Sequence, residues 1–228
     1  MKRFAPLLAP ILLACSSLLF AAPAVEHLRL SVIPTAVSSG AAEAMVVSGG
    51  RWTTERHLVH AAVLIEHPKG RFLFDTGLGR QTAEAFARNN WINRTLLAYE
   101  QLNPARDQLE AAGYSADDID FILPSHLHWD HLGGLPDFPG IPVKVLPGAL
   151  EEARDHGEPP AFLAEQLEGQ REWQQIELDN TPYQGFEQSL DLFDDGQLIL
   201  VDLSGHTAGQ AGLFVNLPSG KRLFLIGD

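Results

Sequence analysis

A single cysteine, Cys15, stands in this 228-residue chain, and it lies within the N-terminal stretch. The rest of the protein therefore has no disulfide framework and no thiolate, so any metal must be held by nitrogen and oxygen. Positive charge is also scarce: 16 lysines and arginines stand against 29 aspartates and glutamates, a formal charge of −13. That balance repels phosphate backbones and anionic membranes, and removes nucleic acid from the expected partners. The acidic residues are scattered, as on a solvated surface, rather than gathered into runs. Low-complexity tracts, short repeats and linkers rich in Gly, Ser or Pro are absent. With 45% hydrophobic residues, this is not the composition of a disordered chain. The length suits one domain with a short appendage.

Long apolar runs are missing too, with one exception at the start. Met1-Lys2-Arg3 precedes an apolar stretch from Phe4 to Val25, the pattern of an export signal. Pro6, Pro10 and Pro23 interrupt it, which argues against an uncleaved spanning helix. Two processing routes fit. Ala22-Pro23-Ala24 offers small residues for simple cleavage near Ala24, the favoured reading. Leu12-Leu13-Ala14-Cys15 has the form of a bacterial lipobox, which would lipidate Cys15, although the apolar Leu18, Leu19 and Phe20 suit a lipoprotein tether poorly. The expectation is a signal peptide over 1–24, a domain over 25–228 and a periplasmic or secreted location. An outer-membrane lipoprotein is the alternative, and membrane contact is expected only through the signal or a lipidated Cys15.

Past the signal, strand and helix patterns alternate. Leu58–Glu66 and Arg71–Asp75 read as strands joined by the turn His67-Pro68-Lys69-Gly70. Apolar spacing predicts a helix from Thr82 to about Tyr99. A second helix is predicted over Pro104–Ala112, capped by Asn103 and closed by Gly113. Ile119–Leu123 and Ile141–Leu146 read as buried strands, and Pro147–His156 and Pro160–Glu168 as helical. Gln197–Leu203, Ala211–Leu217 and Arg222–Ile226 form three late strands. Strands on both sides of a helical middle predict a sheet-rich α/β sandwich with helices on its outer faces.

The chemistry concentrates in Pro124-Ser125-His126-Leu127-His128-Trp129-Asp130-His131-Leu132-Gly133-Gly134. In an extended segment His126 and His128 point to one side, because side chains alternate. A turn into the next element can then aim Asp130 and His131 at a neighbouring point, and Gly133 and Gly134 are expected to permit that turn. Neutral imidazole and carboxylate are the ligands that borderline divalent metals such as zinc prefer. Each histidine alone would read as packing or surface; together they read as a metal site. His27, His57, His60, His67 and His156 show no partner pattern and are expected on the surface or in packing, with His57 and His60 also candidates for the pocket mouth. Trp129 either walls an apolar substrate pocket or packs beneath the loop. Asp75-Thr76-Gly77 invites an aspartic-protease reading, but that chemistry needs a second facing carboxylate, and no second such motif occurs.

The His126–His131 segment resembles the His-x-His-x-Asp-His motif of the metallo-β-lactamase superfamily. Phe74-Asp75-Thr76-Gly77 resembles the family's early strand end, Ser204-Gly205-His206-Thr207-Ala208-Gly209-Gln210 its later Gly-His-Thr-x-Gly loop, and Leu225-Ile226-Gly227-Asp228 the strand that ends in a bridging aspartate. These matches run in family order from about Ala61 to Asp228. The resemblance implies an αββα sandwich. It implies one metal held by His126, His128 and His206, and a second by Asp130 and His131, with Asp228 bridging both. It casts Asp75 as a support behind the metal ligands and Asp130 as the catalytic carboxylate. It further implies two zinc ions, with iron or manganese as alternatives, and a metal-bound hydroxide that attacks an ester or lactone-type small molecule. The family adds a further histidine after the bridging aspartate. The chain stops at Asp228 directly after an apolar strand, so the expectation is a domain incomplete at its C-terminus.

Superfamily membership does not choose a substrate. The His-Leu-His-Trp-Asp-His form looks like the lactonase branch, which includes acyl-homoserine lactonases and organophosphate hydrolases. A β-lactamase or thioesterase-type hydrolase is the alternative, though the missing cysteine ligand disfavours the commonest zinc β-lactamases and export disfavours a glutathione thioesterase. A mononuclear iron persulfide dioxygenase is another, since its motif has the same form. Flavodi-iron members usually carry glutamate where this chain has His128, which argues against them. A fragment that binds metal without turnover is the plainest option.

Overall fold

The structure is a computed structural model and describes residues 25–38, 40–168 and 172–228; the expected signal peptide over 1–24, with Cys15, lies outside the described residues. Among the described residues thirteen strands run in chain order. They are β1 (Arg29–Ser38), β2 (Ala41–Ala42), β3 (Glu55–Arg56), β4 (Val59–His67), β5 (Gly70–Thr76), β6 (Tyr99–Glu100) and β7 (Phe121–Leu123). There follow β8 (Val143–Val145), β9 (Trp173–Gln175), β10 (Ser189–Asp191), β11 (Leu198–Asp202), β12 (Ala211–Asn216) and β13 (Arg222–Leu225). The larger sheet has the order β6-β1-β4-β5-β7-β8-β9 and the smaller β10-β11-β12-β13, while β2 and β3 pair apart. The β4–β5 hairpin is antiparallel, and β5, β7, β8 and β9 run parallel with helical crossovers between them, as parallel connections require.

The apolar alternation in the strands accounts for the layering. Phe72 and Phe74 of β5 and Phe121 and Leu123 of β7 face the smaller sheet, where Leu198, Leu200, Leu213 and Val215 meet them. The intervening Leu73 and Ile122 face the other way, toward Leu109, Leu132, Leu135 and Phe138 under the helices. One strand thus contributes to two cores because its side chains alternate at period two. Each fully buried Phe or Leu here contributes roughly 1.5–3 kcal/mol relative to exposure. The outer face of the smaller sheet packs Ile199, Val201 and Phe214 against Tyr183 and Phe186.

Several predicted elements change on folding. The helix over Thr82–Tyr99 is two helices, Thr82–Phe86 and Trp91–Leu96. Asn90 starts the second by accepting the Asn93 N–H at 2.9 Å, a capping bond stronger than the continuing apolar spacing. Tyr99 and Glu100 then leave the helix to pair with Ser38 and Val37. The next helix is Ala105–Ala111 with Pro104, not Asn103, at its cap; the Asn103 N–H instead donates to Thr35 O at 2.7 Å. In the stretch predicted over Pro160–Glu168 only Ala164–Leu167 is helical. Strand β1 was not expected: Pro34 hides it, and the pairing with β4 shifts register between Pro34 and Ala36, where a proline fits a strand. No helix of the described residues is long and apolar enough to cross a membrane.

Candidate metal centre

The site lies at the carboxyl ends of β5 and β7, the place where open α/β sheets gather ligands. After β7 the chain bends at Ser125–His126, is extended at His128, and then winds into the short helix Trp129–Leu132. Across the extended part, Leu127 enters the core while His126 and His128 face one another on the opposite side, ring centroids 4.5 Å apart. Across the helical part, Trp129 and Leu132, three residues apart, are buried, leaving Asp130 and His131 to turn toward the histidines. The change of period from two to 3.6 inside six residues is what aims all four groups at one place.

Gly133 and Gly134 serve this loop differently from the expectation. Both have ordinary negative φ. A Cβ on Gly134 would stand 2.6 Å from Thr76 O, and one on Gly133 2.8 Å from Gly77 O. The glycines let the loop press against the end of β5; they do not relieve a strained turn.

Asp75 closes β5 with φ at +57°, a left-handed conformation that Asp tolerates better than most residues and that is common at functional sites. Its carboxylate accepts the Ser125 N–H at 2.6 Å, the Ser125 hydroxyl at 3.0 Å and the His131 Nδ1–H at 2.9 Å. The Ser125 hydroxyl oxygen lies 3.1 Å from His126 Nδ1. With Nδ1 engaged by these partners, the Nε2 atoms of His131 and His126 face the centre. His126 Nε2 is buried and has no hydrogen-bond partner.

His206 arrives from the loop between β11 and β12. Its Nε2 lies 3.1 Å from His128 Nδ1, and its ring centroid is 4.9 Å from that of His126. Asp228 follows β13, held by Gln210, whose side-chain amide donates to the backbone carbonyls of Ile226 and Asp228 at 2.9 Å each. The Asp228 carboxylate lies 3.2 Å from His131 Nε2 and 3.7 Å from His206 Nε2, between the two sets of imidazoles. Two donor groups result: His126, His128, His206 and Asp228, and Asp130, His131 and Asp228, with the donor atoms of each group within 4.8 Å of one another.

Electrostatics divides these groups. Burial, then the neighbouring imidazoles His131 and His128, push His126 well below the ordinary histidine range. Burial and His206 lower His128. Burial also works against a charged His131, but the Asp75 charge and hydrogen bonds from His131 to Asp228 and Asp75 outweigh it and raise His131 well above the usual value. The hydrogen bond with His131 lowers Asp228. Burial raises the Asp130 carboxyl, but the His60 hydrogen bond and the His131 charge prevail and hold it below the normal range. The neutral imidazoles of His126 and His128, the ionised Asp130 and Asp228 and a buried Nε2 with nothing to bond form a donor set that fits a divalent cation.

The residues singled out as ligands, His126, His128, Asp130, His131, His206 and Asp228, are thus brought together, with Asp75 behind them. The remaining histidines divide. His67 is buried, stacked on Phe193 at 4.4 Å and 2.9 Å from Asp195. His57 is exposed beside Glu55, and it does not line the cleft. His60 does: its Nδ1 is 3.3 Å from Asp130 Oδ2. Trp129 packs beneath the loop, stacked on Phe86 at 4.9 Å and 5% exposed, so it does not wall the pocket. An aromatic from the loop before the helix Ala164–Leu167 takes the exposed side instead: Phe162 meets the His128 ring edge-on at 4.8 Å. Sequence reasoning missed Ser125 and Gln210, whose roles have no local signature.

Comparisons with known proteins give the chain's family and fold. The family model of the metallo-beta-lactamase superfamily matches residues 56–226. A probable metallo-hydrolase of Mycobacterium bovis is 32% identical over 163 residues, 68% of this chain and 51% of its own length. The N-acyl homoserine lactonase AttM of Rhizobium radiobacter is 28% identical over 171 residues, 72% of this chain and 62% of its own. The chain therefore spans between 51% and 62% of the length of these two relatives. A solved N-acyl homoserine lactone hydrolase, with the product N-hexanoyl-L-homoserine at its catalytic metal center, superposes with a TM-score of 0.67 at 21% identity, covering 86% of this chain and 74% of that one. At that identity the likeness speaks for the fold. The matched span holds every site residue but Asp228, and on it the chain belongs to the metallo-beta-lactamase superfamily.

Proposed function

We propose that this protein is an exported metal-dependent hydrolase that opens a lactone, an N-acyl homoserine lactone being the substrate type suggested by the AttM relative. The observation that carries the reading is the gathering of four imidazoles and two carboxylates into two adjoining donor groups that share Asp228. His126, His128 and His206 would hold one ion and Asp130 and His131 a second, with Asp228 serving both. Two zinc ions suit these donors; iron or manganese would fit the same nitrogens and oxygens. When bound, such ions supply Lewis acidity, acidifying water and drawing electrons from a carbonyl.

The chain's own residues do the positioning. Asp75 accepts a hydrogen bond from His131 Nδ1 and the Ser125 hydroxyl oxygen one from His126 Nδ1, which fixes both rings with Nε2 facing inward. Asp130, ionised, is the carboxylate placed to orient the attacking water and accept its proton. Phe162 covers the outer edge of His128 and excludes water from that side.

Elemental analysis combined with a panel of lactones, aryl esters, thioesters and β-lactams tests the proposal. The expected result is about two zinc per chain and acid release from the lactones. A single iron with oxygen uptake on a persulfide would overturn it in favour of the dioxygenase. Export rests on residues 1–24 alone, and fractionation of cells carrying the gene checks it: a protein confined to the cytoplasm with its N-terminus intact removes that part.

A further inference from the structure

We infer that His60 is a positioning residue for Asp130: reaching from β4, its imidazole holds the Asp130 carboxylate in the orientation its donor group requires. The inference rests on the metal-centre reading above and deepens it. His60 Nδ1 lies 3.3 Å from Asp130 Oδ2, and the two side chains are 11% and 20% exposed. Asp130 sits on one turn of helix facing an open cleft of about 430 Å³, which His60 also lines. An unsupported aspartate on such a turn would sample several rotamers. A carboxylate oxygen has lone pairs enough to accept from His60 and still face a cation.

His60 is itself firmly placed. Its carbonyl accepts the Thr35 hydroxyl at 3.0 Å, and the same Thr35 oxygen accepts the Leu78 N–H at 2.9 Å. Thr35 is fully buried, so β4 is tied to β1 and to the loop after Asp75 at this residue. The His60 ring lies 5.9 Å from Trp129, the neighbour of Asp130. The arrangement repeats one design: on the helix Trp129–Leu132, His131 is gripped by Asp75 from β5 and Asp130 by His60 from β4.

The test uses the full-length protein with His60→Leu, His60→Asn and His60→Phe. Asn and Leu share the same branched outline at Cγ, but only Asn offers an N–H near the position of Nδ1; Phe keeps the ring beside Trp129 without a donor. Zinc affinity is measured by competition with a chromophoric chelator, and cobalt(II) absorption reports the geometry of each ion. His60→Leu and His60→Phe are expected to weaken the second ion by about 10–100-fold and leave the first within about threefold. They should shift the cobalt bands of the second ion and lower kcat by about tenfold with KM little changed. His60→Asn should recover affinity and spectrum to within about threefold of wild type. Two ions bound with wild-type affinity and spectrum in His60→Leu would overturn the inference. So would equal weakening by Leu and Asn, which would reduce His60 to a packing residue. If one variant fails to fold, the other pairings give the same contrast. A wild-type protein that binds fewer than two ions fails at the metal-centre reading itself, a result distinct from any of these.

Discussion

The two donor groups share one cleft but rest on opposite electrostatic terms. In the imidazole-rich group, burial keeps His126 and His128 neutral, and Nε2 of His126 faces the centre with nothing to bond. In the carboxylate-rich group, Asp75, Asp130 and Asp228 surround His131 and raise it. The first group is prepared by desolvation and the second by charge. Desolvated neutral nitrogens bind a cation without a rearrangement of protons, whereas crowded carboxylates need a cation to relieve one another. The lesson is that a metal site can be pre-organised by burial on one side and by a network of supporting hydrogen bonds on the other.

Breaking the first group should have the largest effect. His128→Ala removes a nitrogen that no neighbour replaces; metal retention by elemental analysis and lactone turnover should fall together, the latter by on the order of 10²–10³ or more. Retention of full activity would dissolve the imidazole group as described. Next comes the support of the second group. Asp75→Asn keeps a residue that tolerates positive φ but weakens the grip on His131 Nδ1 and Ser125. Metal affinity should drop by about 10–100-fold while far-ultraviolet circular dichroism stays native.

Chelator titration sharpens the contrast further. The group with fewer donors, Asp130, His131 and Asp228, should lose its ion first, giving a two-step release; simultaneous loss would mean the groups act as one. The smallest effect is expected where the loop is seated. Gly134→Ala drives a Cβ to 2.6 Å from Thr76 O, and overpacking of this kind costs about 1–3 kcal/mol, read as a lowered Tm of the metal-free protein. An unchanged Tm would show that the loop has room to shift.

Legibility followed the range of the interactions. His126, His128, Asp130 and His131 stand out because their spacing, extended then helical, is local. His206 and Asp228 are equally close in space, but 78 residues of chain separate His128 from His206; only the resemblance of short flanking motifs pointed to them. The predicted helix over Thr82–Tyr99 was too long because apolar spacing continued through Asn90, whose capping bond ends one helix and begins another. The strand around Pro34 was overlooked because proline obscures alternation, and a bulge absorbs it. Trp129 could have packed or lined a pocket; burial against Phe86 decided for packing.

By itself the sequence determined the donor chemistry: one cysteine at the N-terminal end leaves nitrogen and oxygen, and six residues set four of those donors at one turn. Tertiary structure alone decided which other histidine joins the centre. His57, His60 and His67 lie within one stretch of chain, yet only His60 reaches Asp130. The physical reason is that alternation along a strand tells which face a side chain takes. Which element faces it there depends on the order of β1, β4 and β5 in the sheet and on Thr35 tying them together.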